Sequence, residues 1–329
     1  MVEDDVGHAA VDRHVGGPGN QAANAYFARR AADAGFAIER LPFDCVEWDP
    51  GDVTLTFGGT TVAALPGPYS LPCDVAAPLA AASTAEELDA LDAPGRILLL
   101  HGPLVAEQLT PRNYPFYRME SHTRILAALD RIAPAAVVAA TGKNPGLAGS
   151  LYPFPYIVDA DFDIPSAYLK DSEGARLLAH VGETARLVID SRRVPARAEQ
   201  VVARRSGGLP GRIVVSAHIA TVKASPGALD NATGVACLLA LADLLGDPGV
   251  PRAVTADAAG PRGEAGVRAE AVAGASLPLP GARPARTVEL VPFNGEDNYA
   301  APGEVRYIEA SGGRFDDVVL AINVDAAGY

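Results

Sequence analysis

The sequence predicts an α/β protein with a doubly wound, mostly parallel mixed sheet that is interrupted by an inserted β-rich domain. Strand-like and helix-like apolar runs alternate towards both ends of the 329-residue chain, and this alternation is typical of a sheet covered by helices. Between them, short strand-like runs are separated by Pro- and Gly-rich loops. The first pattern then resumes, as expected for an insertion whose two boundaries lie close together.

We assign the sheet-and-helix domain to residues 1–50 and 196–329. Its first elements are an amphipathic helix, which begins near Asn20 and stops at Gly35, and the strand that follows. After residue 196 come the strand GRIVVSAH, the helix NATGVACLLALADLL, and the strands RTVELVPFNGE and DVVLAINVDAAG. Residues 247–286 are rich in Ala, Gly, Pro and Arg without periodicity, so we interpret them as a low-complexity insertion.

Residues 51–195 form the inserted domain in this prediction. Four β-like runs, DVTLTF, GRILLLHG, AAVVAAT and ARLVIDS, and one helix, YRMESHTRILAALDRIA, are spread between loops. Such short strands of regular spacing predict a compact module in which β-structure predominates.

Composition limits the classes of partner. The formal net charge is −13 and the pI is about 4.9, which argues against nucleic acid or an anionic membrane because both require a basic face. No apolar run approaches the ~20 residues of a membrane span, and the first residues lack the features of a secretion signal. Three scattered cysteines are typical of reduced thiols. We therefore expect a cytoplasmic protein, and composition leaves its oligomeric state open.

Five side chains near predicted strand or helix ends are candidates for chemistry: His218, Asp230, Glu296, Asp297 and Asp325. Each has an ordinary alternative explanation. A lone histidine is more often a satisfied interior residue, an aspartate before a helix is often a cap, and adjacent acids often lie in a solvated turn. The whole set is more informative, because the carboxyl ends of strands in such a sheet share one edge.

Imidazole and carboxylate donors together favour divalent zinc. Asp230 has the chemistry to bridge two ions ~3.5–4 Å apart, with His218 and Asp325 completing one ion and Asp297 serving the other. Glu296 would then act as the general base for a zinc-activated water that attacks a carbonyl.

These motifs resemble the co-catalytic dizinc aminopeptidases of metallopeptidase family twenty-eight, a family that includes leucyl aminopeptidases and glutamate carboxypeptidases. The resemblance rests on the helix RHVGGPGNQAANAYFARRAADAGF and, in order, on AH-x-x-T…SPGALDNATGVA, ELVPFNGED and INVD. It implies the same five roles for the five candidates and a peptide substrate. The inserted domain, with FDIPSAYLKDSEGARLLAHVG, is similar to the protease-associated domain that serves as a lid in such enzymes.

Three positions differ from the family pattern. The family has His-x-Asp, whereas the second residue after His218 is Ala220. A carboxylate there orients the ligand imidazole, and its loss typically costs ~10–100-fold in metal affinity or activity. The chain ends at Tyr329, before the position at which family members supply a late histidine ligand and further strands, so the domain is expected to be truncated. Asp297 replaces the commoner glutamate. We therefore expect one zinc ion or none.

Three functional hypotheses remain at this stage. A zinc-dependent exopeptidase, specifically an aminopeptidase, follows from the ordered ligand set. A non-catalytic scaffold that keeps the peptidase fold for binding follows from Ala220 and the absent late histidine. Acyl transfer of the glutaminyl-cyclase type uses the same fold with one zinc ion, but the inserted domain disfavours it.

Overall fold

The protein is described here by a computed structural model that covers residues 12–142, 151–223, 225–246, 283–298 and 300–327. The predicted low-complexity insertion, 247–286, lies outside the described residues except for its last four. The chain divides into two compact units. The first contains residues 1–43, 198–296 and 302–329, and the second contains 44–197 and 297–301. The predicted boundaries, 50/51 and 195/196, lie close to these divisions.

The first sheet has five strands in the order β1-β10-β12-β11-β13. Strand β11 is parallel to both β12 and β13, whereas β10 is antiparallel to β12. The sheet is therefore mixed. Strands β12, β11 and β13 are parallel neighbours, so their carboxyl ends lie at the same edge. Their bounds are β1 (Ala37–Asp49), β10 (Arg192–Arg205), β11 (Leu209–His218), β12 (Arg286–Phe293) and β13 (Val318–Asn323).

Helices cover both faces of this sheet, as a doubly wound fold requires. On one face, α1 (Pro18–Asp33) and α5 (Thr233–Leu245) enclose a core with alternate residues of β10, β11 and β12. On the other face, Tyr307 of α6 (Pro302–Ala310) packs with Val202, Val214 and Val291. Successive strand residues enter opposite cores because side chains alternate across a pleated strand.

The predicted first helix is present and begins two residues before the predicted start. Pro18 occupies its first turn, a position where the missing N–H costs nothing, and Gly35, with φ +84°, follows its end. The continuous stretch Ala228–Leu245, which includes α5, is long and apolar enough by composition to cross a membrane. Its buried Leu238 and Ala242 lie in the core between α1 and the sheet, whereas only 22% of the whole stretch is buried.

The second unit is built on an eight-stranded mixed sheet in the order β3-β2-β9-β5-β6-β7-β8-β4. The central strands β5 to β8 are parallel to one another, and the other neighbouring strands pair in antiparallel fashion. Its strands are β2 (Val53–Phe57), β3 (Thr60–Val62), β4 (Leu65–Pro66), β5 (Cys73–Ala82), β6 (Ile97–Leu100), β7 (Ala136–Thr141), β8 (Ser166–Lys170) and β9 (Thr184–Ile189).

Three helices accompany this sheet: α2 (Ala85–Ala90), α3 (Glu120–Ile132) and α4 (Asp171–Leu178). Only α3 was predicted, because α2 and α4 are short and their apolar residues are too few to show a period. Leu88 and Leu129 lie in the core on one face of the sheet, and Leu177 lies in the core on the other. The unit is richer in β-structure than in helix, yet its parallel centre makes it an α/β unit.

Candidate metal centre

The first sheet brings the predicted residues of the first unit to its carboxyl edge. His218 is the last residue of β11, Asp325 follows the end of β13 by two residues, and Glu296 follows the end of β12 by three. Because β11 is parallel to β12 and β13, all three chain segments leave the sheet on the same side. Asp230 reaches this edge from the irregular turn, Ala228–Ala232, that precedes α5.

His218, Asp230 and Asp325 form a set of possible metal ligands. Each offers a ligand atom within 4.8 Å of the others. The imidazole Nε2 lies 2.8 Å from Asp230 Oδ1 and 3.6 Å from Asp325 Oδ1. The imidazole is 4% exposed, whereas the two carboxylates are open to solvent. One nitrogen and two oxygens that face a common point are the donor set of a zinc site with an open position.

The backbone carbonyl of Ala220 orients the His218 ring. Nδ1 lies 3.0 Å from this oxygen, and since a carbonyl only accepts, Nδ1–H is the donor. The bond leaves Nε2 as the nitrogen that faces the two acids. A carbonyl can thus fix the tautomer where the family pattern has an aspartate, but it lacks the negative charge that raises the basicity of the imidazole.

We predict that Ala220→Asp raises zinc affinity by about 10-fold or more, since an anionic acceptor beside Nδ1 strengthens the ligand. Calorimetric titration with zinc measures the change. The matched control is Ala220→Asn, which has nearly the same volume and no charge. Equal zinc affinities for the two variants would contradict the prediction, because a negative charge beside Nδ1 would then not strengthen zinc binding.

Glu296 is the candidate base, and the charges of all three candidate ligands affect its pKa. Although its side chain is exposed, desolvation by the surrounding protein raises its pKa, the His218 imidazole lowers it, and the Asp325 and Asp230 carboxylates raise it. The net shift is upward. An acid whose pKa rises towards neutrality is better matched to giving and taking protons at physiological pH.

Asp297 directly follows Glu296 in the chain and is half-buried. Asp297 and the four residues after it belong to the second unit, as judged from their contacts. Its role as a ligand of a second ion therefore stays a prediction from the resemblance.

A buried arginine, absent from the predicted set, holds the loop between His218 and Asp230. The Arg13 guanidinium donates to the carbonyls of Ile219 at 2.9 Å, Pro226 at 2.8 Å and Gly227 at 3.0 Å. Gly227 has φ +54°, and a side chain there would meet Thr221 and Arg13. Arg13 precedes the first helix by five residues, and no sequence spacing links it to a loop more than 200 residues away.

Asn231 links the turn of Asp230 to the strand end of Asp325. Its amide nitrogen donates to the Val324 carbonyl at 2.9 Å, and its amide oxygen accepts from Gly234 N at 2.9 Å. The side chain is fully buried. Asn231 was predicted only as the start of a helix, whereas its side chain links two segments that carry ligands.

Glu304, in the first turn of α6, is a further acid near the site. Burial raises its pKa to about 7, the Glu296 carboxylate adds to the rise, and the His218 imidazole opposes it. Its Oε2 atom is buried and has no hydrogen-bond partner among the described residues. Sequence reasoning missed Glu304, because a glutamate in the first turn of a helix is common for its favourable interaction with the helix dipole.

This shift predicts a pH dependence of stability in chelator-treated protein. Because the folded pKa of Glu304 is about 7 against 4.5 for an ordinary glutamate, its neutral form stabilises the fold at low pH, and that contribution is lost as pH rises through 7. Between pH 5 and 8, the unfolding free energy of Glu304→Gln should therefore rise relative to that of the parent, by up to about 3 kcal/mol.

Denaturant unfolding at both pH values measures this difference. Glu309→Gln is the control, because Glu309 lies on the same helix, is exposed and only faces Arg306 at 3.4 Å. A pH-independent effect of Glu304→Gln would contradict the assignment of the titration to Glu304.

A buried imidazole and acidic donors at the carboxyl edge of a mixed α/β sheet are typical of metal-dependent hydrolases. Comparison with known proteins agrees with this class. Residues 200–329 match the model of Peptidase family M28, so this part of the chain is similar to M28 domains. The chain is 29% identical over 255 residues to the probable lipoprotein aminopeptidase LpqL of Mycobacterium tuberculosis. That match covers 74% of the chain but only 47%, about half, of the relative.

Solved structures of M28 aminopeptidases share the fold. The aminopeptidase from Aneurinibacillus sp. strain AM-1 superposes with a TM-score of 0.68 at 18% identity, covering 98% of this chain and 68% of that one. The zinc aminopeptidase from Bacillus subtilis gives 0.61 at 17% identity, covering 96% and 65%. A peptidase M28 precursor from Shewanella amazonensis gives 0.62 at 13% identity, covering 98% and 69%. The predicted mixed α/β fold and family resemblance are confirmed.

Proposed function

We propose that the protein is a zinc-dependent exopeptidase that acts as an aminopeptidase. The observation that carries this proposal is the convergence of His218 Nε2 with the carboxylates of Asp230 and Asp325 on one point, with Glu296 in electrostatic reach. These three side chains would hold one zinc ion. The proposal does not require a second ion, so Asp297 remains available as a ligand without being essential to it.

The residues divide the chemistry between them. A zinc ion, when bound, supplies a Lewis acid that polarises the scissile carbonyl and lowers the pKa of water. Glu296 accepts the proton of the attacking water and returns it to the leaving amine. The Ala220 carbonyl keeps Nε2 of His218 directed at the ion. Arg13 and Asn231 keep the ligand-bearing segments in place through backbone carbonyls.

The comparisons support this proposal at the level of the family. The curated relative carries the name of an aminopeptidase, and the Bacillus subtilis structure is that of a zinc aminopeptidase. Neither fixes the substrate of this chain. Peptides with a free amino terminus are the substrates we propose, and the cytoplasmic location expected from composition stays a prediction that cell fractionation tests.

Hydrolysis of a panel of aminoacyl-nitroanilides tests the function. Zinc-loaded protein should release nitroaniline from free aminoacyl substrates, should lose this activity on chelation and should regain it on addition of zinc. The matched control substrates carry an acetyl group on the amine. Turnover that survives chelation, or equal turnover of acetylated substrates, contradicts a zinc-dependent aminopeptidase.

A non-catalytic scaffold is the second candidate, and Ala220 is the observation that favours it. The His218 ring rests on a neutral carbonyl rather than on a carboxylate, which weakens the ligand. The two candidates differ in one measurement. A scaffold shows no turnover of any aminoacyl-nitroanilide at saturating zinc, whereas the enzyme shows turnover that depends on Glu296.

A further inference from the structure

The backbone that follows His218 is bonded to Arg13 on both sides of the Ala220 Cα atom. On one side, the Ile219 carbonyl accepts from Arg13 Nε at 2.9 Å. On the other side, Arg13 N donates to Thr221 Oγ1 at 2.7 Å, and Thr221 N donates to the Arg13 carbonyl oxygen at 3.3 Å. Both peptide groups of Ala220 are therefore held by one residue that lies more than 200 positions earlier in the chain.

These bonds fix the direction of the Ala220 carbonyl. This carbonyl and the Thr221 N–H belong to the same peptide group, and in a planar trans peptide the two point in opposite directions. The N–H is directed at the Arg13 oxygen, so the Ala220 oxygen is directed to the opposite side, where it lies 3.0 Å from His218 Nδ1. The orientation of the imidazole therefore depends on the bonds that residue 13 makes.

The residues of this arrangement are buried. Water therefore cannot replace a partner that is lost, and a buried polar group without a partner is costly. The Arg13 guanidinium also donates to two carbonyls before the turn of Asp230, so a change of Arg13 would disturb that turn as well. The Thr221 hydroxyl accepts from the Arg13 backbone, and its removal leaves the guanidinium intact. Thr221 therefore tests the His218 side of the loop more selectively than Arg13 does.

We propose that Arg13 and Thr221 are positioning residues that hold the Ala220 carbonyl against His218 Nδ1 and thereby direct Nε2 at the zinc ion. This role rests on the proposed zinc-dependent function and names the residues on which the direction of its nitrogen ligand depends. A backbone carbonyl keeps its direction only while its peptide group is held, and here Arg13 and Thr221 hold it. Loss of partners that orient a ligand imidazole typically costs ~10–100-fold in metal affinity or activity.

Thr221→Val tests the proposal, because valine has nearly the shape of threonine but no hydroxyl that accepts from Arg13 N. Its zinc affinity, measured by calorimetric titration, should fall by about 10-fold or more. Thr221→Ser keeps the hydroxyl and should bind zinc nearly as the parent does. An unchanged zinc affinity of Thr221→Val overturns the proposal.

Thr141→Val is the matched control. The Thr141 hydroxyl also belongs to a buried residue and accepts from a backbone N–H, that of Tyr152 at 3.4 Å, but it lies in the second unit. This variant should keep the parental zinc affinity even where it lowers the free energy of unfolding. An equal loss of zinc affinity in Thr141→Val and Thr221→Val would mean that the loss reflects general destabilisation, and it would overturn the proposal.

A double-mutant cycle with Ala220→Asp tests whether Thr221 acts through the Ala220 carbonyl. The aspartate gives Nδ1 an acceptor that does not depend on the peptide group after residue 220. Thr221→Val should therefore cost much less zinc affinity in this background than in the parent. Equal losses in the two backgrounds would mean that Thr221 acts by another route, and they would overturn the proposal.

The Nδ1–H proton of His218 provides a readout that needs no zinc. In ¹H–¹⁵N spectra of histidine-labelled, chelator-treated protein, its signal is identified by its absence from His218→Ala. It should exchange slowly with water in the parent and in Thr221→Ser, and faster in Thr221→Val. A parent that binds no zinc would contradict the proposed function, whereas this difference in exchange would still support the positioning role. Equal exchange rates in the parent and Thr221→Val overturn that role.

Discussion

Zinc-loaded Glu296→Gln protein should lose nitroanilide hydrolysis by about 10²–10⁴-fold in kcat while it still binds zinc. General-base catalysis contributes rate enhancements of this size, and Gln has almost the same shape as Glu but cannot take a proton. The charges of His218, Asp230 and Asp325 act on Glu296, and its carboxylate lies within 4.8 Å of a ring nitrogen of His218, which is close enough for a base that acts on zinc-bound water.

Two measurements make this prediction specific. Calorimetric zinc affinity should change little, which separates a lost base from a lost ligand, and Glu309→Gln should keep full activity because its carboxylate is exposed on α6. If Glu296→Gln retains parental kcat, Glu296 is not the base and the proposed mechanism is wrong. If zinc binding disappears with activity, Glu296 acts as a ligand instead.

His218→Ala should remove specific zinc binding altogether. His218 is the only nitrogen donor of the set, and its Nε2 faces both Asp230 and Asp325. Loss of a direct ligand should exceed the ~10–100-fold cost of losing an outer partner. Calorimetric titration with zinc should therefore show no saturable binding to this centre, and the thermal stabilisation by zinc should vanish.

The matched control is His101→Ala, which removes an imidazole that lies in the second unit and in no described metal set. It should bind zinc as the parent does. Tight zinc binding by His218→Ala would contradict the proposed ligand set even if the variant were inactive, because the ion would then be held elsewhere.

Local pattern predicted the strands of the first unit well. Strands β11 to β13 contain short apolar runs, and the carboxyl-edge rule then predicts His218, Glu296 and Asp325 on one side of the sheet, where the structure has them. Such predictions succeed because the alternation of side chains and the apolar character of a strand are local properties of the chain.

The support of the site could not be predicted in this way. Arg13 acts through carbonyls of a loop 206 to 214 residues away, and any residue type can offer a carbonyl. The orientation of His218 depends on the backbone of Ala220, whose side chain carries no sign of that contact. The helices α2 and α4 escaped prediction for a different reason, since six and eight residues span too few turns to show an amphipathic period.

The unequal burial of neighbouring acids in the second unit was also invisible in the sequence. Asp159, Asp161 and Asp163 alternate in one short run, which is an ordinary composition for a surface loop. Burial of Asp159 and exposure of Asp163 separate their roles, and burial at this position depends on packing around Tyr156 and Asn113. Only the fold distinguishes the buried Asp159 from the exposed Asp163, which pairs with an arginine.

Anomalous diffraction from crystals soaked in zinc tests the central claim most directly. Data collected above and below the zinc absorption edge should show a peak within ligand distance, about 2.0–2.2 Å, of His218 Nε2 and of carboxylate oxygens from Asp230 and Asp325. A zinc peak bound by other residues, with none beside the His218 ring, would contradict the metal centre and the function built on it.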